Sequence, residues 1–105
     1  MTAKEFLMSL PERLHPSAVE GLETRFHFDL EGDGGGQFTV HLADGQTKVE
    51  EGLQGDPKCT VRSTADNFVQ LVKGELNPMM AIMMGKVKIS NPGEMTKFAK
   101  LLGLM

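Results

Sequence analysis

The chain has 105 residues, of which 40% are apolar and 24% charged, with a net charge of −3. That is enough for one domain with one core, and no apolar run approaches the roughly 20 residues of a membrane span. There is no basic block and no Trp or Tyr, which argues against a nucleic-acid partner. The single cysteine, Cys59, rules out an internal disulfide, and no Cys/His spacing suits a metal.

In chain order, Thr2 followed by Glu5 has the form of a helix capping box. Behind it, Phe6, Leu7, Leu10 and Leu14 share a helical face, and Pro11 is expected to end or kink that helix. Pro16 to Gly21 suggests another short turn of helix. The period then changes to two. Phe26, Phe28 and Leu30 alternate with polar residues as one strand, and Phe38, Val40 and Leu42 do so as a second across the glycine-rich turn Gly32–Gly36. Asp44-Gly45 is a hairpin signal, because a type I′ turn needs positive φ at both central residues. A more polar third strand, about Gln46 to Glu51, reads as an edge. A fourth, Lys58 to Arg62, places Cys59 and Val61 on one face.

The second half is mostly helical. Ser63 or Thr64 can cap a helix carrying Ala65, Phe68, Leu71 and Val72, with Gly74 as its stop. Asn77-Pro78 opens a short helix, Met79 to Met84, closed by Gly85. Lys86 to Ser90 alternates as a fifth strand. Asn91-Pro92 starts a last helix with Met95, Phe98, Leu101 and Leu102 on one side. Strands and helices that do not alternate strictly indicate an α+β fold. The expectation is a single domain over residues 1–105, built on a five-stranded, mainly antiparallel sheet with helices packed on one face.

The segment Met79-Met80-Ala81-Ile82-Met83-Met84 is apolar all round, whereas a surface helix shows only an apolar stripe. Methionine readily fills irregular core gaps, and core packing alone would account for these residues. The excess of apolar faces over sheet to bury them on points further, to a bound lipid in an apolar cavity.

These residues bring a family into view. Gly74 through Ile89, with its Leu76-Asn77-Pro78 turn, apolar helix and Gly85-Lys86-Val87-Lys88-Ile89, resembles the signature of the sterol carrier protein type 2 family, the non-specific lipid-transfer proteins. Phe26-x-Phe28, Asp44-Gly45, Gly52, the helix from Ser63 to Gly74, and Phe98-Ala99-Lys100-Leu101 follow in the family's order. The resemblance implies an apolar tunnel for fatty acids, acyl-CoA esters, phospholipids or sterols, no catalysis and no cofactor. It implies one wall from Phe68, Leu71 and Val72 and a second from Met79, Met80, Ile82, Met83 and Met84. Met95, Phe98 and Leu102 would close the site, over a floor of Phe38 and Val40. Phe38 stands where the family often has tryptophan, Ile82 where phenylalanine is common, and Met84 in place of a commonly polar residue, so the ligand does not transfer with the family. No signal-peptide pattern opens the chain, and Gly103-Leu104-Met105 is not a Ser-Lys-Leu address. The expected setting is cytoplasmic, with transient membrane contact.

Other residues weigh less. His27 and His41, which the alternation would set facing each other on the first hairpin, could begin a metal site, but a third ligand would have to come from Asp29 or Glu31 with nothing visible to orient it, so they read as surface residues. Gly32–Gly36 lies between strands, not before a helix as a phosphate loop would. Ser63, Thr64 and Asp66 have the spacing of a helix cap, and Cys59 faces inward without a base. No catalytic set can be assembled. Lys86, Lys88, Lys97 and Lys100 are candidates for a ligand or lipid head group. The competing reading is an interaction module, in which the Met-rich helix and apolar C-terminus form a dimer or partner interface. Oligomeric state is not legible here.

Overall fold

The N-terminus is organised by the capping box. In the computed structural model, which describes residues 1–101, Thr2 N–H donates to Glu5 Oε1 at 2.8 Å and Glu5 N–H donates to Thr2 Oγ1 at 3.0 Å. This starts α1 (Ala3–Met8). The chain breaks at Ser9, and Pro11 falls in the first turn of α2 (Leu10–Arg13), where a missing N–H costs nothing. A 3-10 turn at Pro16–Ala18 follows. The Glu5 carboxyl is held below its ordinary range, chiefly by the Thr2 backbone N–H and then by the Thr2 side chain. Its contribution to stability is therefore complete above the ordinary carboxylate value of about 4.3 and is lost as pH falls through the lowered one. Urea midpoints of wild type and Glu5→Gln should differ at about pH 6 and converge by about pH 3.

The sheet comprises β1 (Thr24–Glu31), β2 (Gly36–Ala43), β3 (Gln46–Glu51), β4 (Cys59–Thr64) and β5 (Val87–Ile89), in the order β3-β2-β1-β4-β5. Asp44 and Gly45 both take positive φ, 54° and 70°, as the β2–β3 turn requires. Every pairing is antiparallel except β1–β4, which sets Phe26 beside Cys59 and Phe28 beside Val61 in parallel. The sheet is thus mixed, mainly antiparallel, and β3 lies at an edge.

Phe26, Phe28, Leu30, Phe38, Val40, Leu42, Cys59, Val61 and Val87 form the buried face of the sheet. The helices close over it: α1 and α2 at the β2–β3 end, α3 (Ala65–Val72) and α5 (Pro92–Leu101) towards β4, and α4 (Pro78–Met83) beside β5. No helix among the described residues is long and apolar enough to cross a membrane.

The turn between β1 and β2 approaches its surroundings so closely that only glycine fits at 35. A Cβ there would overlap the Leu30 carbonyl and stand 3.2 Å from the Ala65 methyl. The obstruction is backbone and cannot swing aside. Gly35→Ala should therefore lower stability by about 1–3 kcal/mol, read as an earlier urea midpoint.

The first hairpin corrects one expectation. His27 pairs with Thr39, and His41 with Arg25, so the two histidines are not opposite each other. Nor is His27 a solvated residue. It is buried, and its Nε2–H donates to the Gln54 carbonyl at 2.8 Å. Thr39 beside it donates to Gly52 O at 2.7 Å and accepts from Gln54 N–H at 2.8 Å. The turn at Gly32–Gly35 brings Leu30 opposite Gly36, which sets this register, and the loop after β3 folds back over the outer face.

Candidate functional site

Helix α4 is held at its start by Asn77, whose Oδ1 accepts from the N–H of Met79 at 2.9 Å and of Met80 at 3.2 Å, with Pro78 in the first turn. Gly85, at φ 74°, ends it. Its only fully buried residue is Ala81. The helix is not enclosed, contrary to what its all-apolar sequence suggested. Met83 is 82% exposed, Met79 62% and Ile82 38%, and Met80 and Met84 are also exposed. The reason is placement: a six-residue helix beside a three-residue edge strand has no neighbour on its outer side among the described residues.

An apolar cleft of about 80 Å³ opens beneath this helix. Leu71 of α3, Met79 and Ile82 of α4, Val87 and Ile89 of β5, and Met95 and Ala99 of α5 supply its walls, with Pro78 and Pro92 at the margins. Its one side-chain hydroxyl, Thr96, already donates to Pro92 O at 2.9 Å. The cleft thus offers apolar contact and no unsatisfied hydroxyl.

Of the residues the sequence singled out, Leu71, Met79, Ile82 and Met95 line this cleft together. Met80, Met83 and Met84 stand outside its lining, on the solvent side of α4. Phe38 and Val40 are fully buried on β2, two strands away from β4, and do not line the cleft. Phe68 is core, edge-to-face with Phe6 at 5.9 Å and with Phe28 at 5.6 Å. Val72 is half-buried against that core. Leu102 lies outside the described residues. Val87, Ile89 and Ala99 were not singled out beforehand. Strand alternation and the four-residue step from Met95 are the signals that would have found them.

A second cavity, about 200 Å³, lies along another side of α5. Phe26, Leu42 and Phe98 form its apolar part, and Thr24, Lys58, Glu94 and Lys97 its polar rim. The rim is internally matched. Thr24 donates to Glu94 Oε2 at 3.2 Å, Lys97 Nζ sits 3.5 Å from Glu94 Oε1, and Lys58 Nζ donates to Glu23 O at 3.1 Å. Lys97 is therefore already partnered by a carboxylate.

The remaining candidates have structural roles. Thr64 caps α3, its hydroxyl oxygen accepting from Asn67 N–H at 3.1 Å. Cys59 is buried, its thiol donates to Asn91 O at 3.5 Å, and burial raises its pKa, which keeps it a protonated, unreactive thiol. Among the described residues no three His, Cys, Asp or Glu side chains are grouped to hold a metal.

Known proteins share this fold. The model of a family described as the SCP-2 sterol transfer family matches residues 3–104. Hydroxysteroid dehydrogenase-like protein 2 of Mus musculus is 33% identical over 103 residues, 97% of this chain but 21% of the mouse protein. The chain thus spans about a fifth of that relative's length. The solution structure of sterol carrier protein domain 2 of Helicoverpa armigera superposes with a TM-score of 0.75 at 25% identity, covering 94% of this chain and 81% of that one. Palmitated SCP2L2 from Aedes aegypti shares the fold at a TM-score of 0.75 and 20% identity, over 97% and 95% of the two chains. On sequence and fold together, this chain belongs to the SCP-2 sterol transfer family.

Proposed function

We propose that the chain is a non-catalytic lipid-binding domain, and that the acyl part of its ligand enters between α4, β5 and α5. The observation that carries this reading is the cleft itself: walls from four elements, all apolar, with the one hydroxyl already satisfied. Such a lining suits a hydrocarbon chain and offers nothing to a polar substrate. Family membership supports lipid binding or transfer in general. The Aedes aegypti protein of the same fold is palmitated, which makes a long-chain fatty acid the first ligand to test.

At about 80 Å³ the cleft does not hold a long chain as it stands. Entry requires α4 to move outwards. That motion is inexpensive, because α4 buries only Ala81 completely and its methionines adapt to whatever they meet. Each methylene taken from water contributes about 0.8 kcal/mol. A long chain gains on the order of 10 kcal/mol before the costs of association and of moving the helix.

Native mass spectrometry of the freshly purified protein, followed by titration with palmitate and with a sterol, tests the reading. A monomer that carries or takes up one acyl chain supports it. An apo monomer that takes up neither ligand at saturating concentration would overturn it. A dimer that binds no lipid would favour the interaction-module reading. Because relatives contain this domain as a small part of a longer chain, we further propose that it presents lipid to a neighbouring domain or partner in such proteins.

A further inference from the structure

We propose that the second cavity, across α5 from the cleft, is a separate binding site for a compact neutral ligand with an apolar body and one hydroxyl. Helix α5 serves the two cavities with two different stripes. Pro92, Met95, Thr96 and Ala99 line the cleft, whereas Glu94, Lys97, Phe98 and Leu101 line the second cavity. Each set steps i, i+3, i+4, i+7 and so forms one helical face, and at about 100° per residue the two faces point in nearly opposite directions. The two cavities have no lining residue in common. The body of the helix separates them.

Size sets the body of the ligand. Leu22 and Leu101, both half-buried, wall the cavity above the buried side chains of Phe26, Leu42 and Phe98. Its volume is about 200 Å³. A cavity of about 150 Å³ is enough for benzene, so this space suits one substituted ring or a short branched chain. A fused ring system or a long acyl chain is too large for it.

The rim sets the polar group. Glu94 Oε2 accepts from the Thr24 hydroxyl at 3.2 Å, and Oε1 lies 3.5 Å from Lys97 Nζ. An ionised carboxylate has about four acceptor positions, so Glu94 can still accept from a ligand. Its side chain is 21% exposed against 69% for Lys97, so an entering polar group meets the carboxylate before the ammonium. That calls for a donor and turns a carboxylate away, since like charges about 4 Å apart in water cost about fivefold in affinity. The rim holds two carboxylates, Glu23 and Glu94, and two ammoniums, Lys58 and Lys97, which sum to zero. A ligand ammonium would upset that balance beside two lysines. A hydroxyl donates to Glu94 and leaves it unchanged.

Titration of the full chain followed by amide NMR tests this, with p-cresol, 4-methylbenzoate and 4-methylbenzylamine as probes of one shape and three charges. p-Cresol should give saturable shifts in residues 21–24 and 94–101, with Val87 and Ile89 in the cleft unmoved. The benzoate and the amine should each bind at least about fivefold more weakly. Glu94→Gln keeps the shape of the side chain, removes the repelling charge and releases Lys97, so it should tighten 4-methylbenzoate at least about fivefold. Lys97→Gln should tighten only the amine. Excess palmitate should leave p-cresol bound. No saturable shift with p-cresol would mean that the cavity holds water alone, and would overturn the proposal. So would a charged probe that outbinds p-cresol in wild type, an unchanged order of affinities in folded Glu94→Gln, or displacement of p-cresol by palmitate, which would make the two cavities one site.

Discussion

Ile82→Asp is expected to weaken fatty-acid uptake at least tenfold while leaving the domain folded. Ile82 lines the cleft yet remains 38% exposed, so an ionised carboxylate there can stay hydrated in the empty protein. Acyl-chain entry would strip that hydration, and a charge buried without a partner costs several kcal/mol. The site offers no compensation, since no lysine, arginine or histidine lines the cleft. The variant should therefore melt within a few degrees of wild type and fail in displacement of a fluorescent fatty acid. Unchanged affinity in a folded variant would move the ligand elsewhere in the molecule.

Phe98→Ala should cause the largest loss of stability. Phe98 is 1% exposed, its ring centroid 4.8 Å from that of Phe26 and 5.9 Å from that of Phe28. Phe28 continues to Phe68 at 5.6 Å, and Phe68 to Phe6 at 5.9 Å. One series of rings thus ties α5 through the sheet and α3 to α1. Truncating its α5 member should cost about 3–5 kcal/mol, a large share of the 5–15 kcal/mol typical of a whole domain. The melting temperature should fall by more than about 10 °C. A loss below about 1 kcal/mol would mean that α5 is anchored by something other than this contact.

What the sequence made legible was mostly local chemistry. The capping box at Thr2 and Glu5, the positive-φ pair Asp44-Gly45 and the cap at Asn77-Pro78 each work within four residues, and each stands where expected. The alternation of Phe26, Phe28, Leu30, Phe38, Val40 and Leu42 likewise placed the buried face of the sheet. What escaped depends on partners distant in sequence. The histidine pairing failed because the compact turn before Gly36 shifts the register by two residues, which leaves side chains on the same face but changes their partners. The exposure of α4 depends on which elements stand next to it, and an all-apolar composition cannot say that its outer side has no neighbour. In the candidate site, four named residues converge on one cleft, while Phe38 and Val40 belong to the far end of the same buried face.

The parallel pairing of β1 with β4, together with the tilted packing of Phe98 against Phe26 and Phe28, bears on how the chain folds as it is made. The β1–β2–β3 meander can form from neighbours in sequence, but β4 must return beside β1 across 33 residues, Phe26 to Cys59. Contacts of that separation slow folding, because the intervening chain must be ordered first. Even then the Phe26 and Phe28 rings lack the cover of α5 until residue 98 has left the ribosome. A nascent chain stopped short of α5 therefore holds a half-built sheet with bare aromatic rings, a species for chaperones to bind. Docking of α5 is the contact that finally covers these rings.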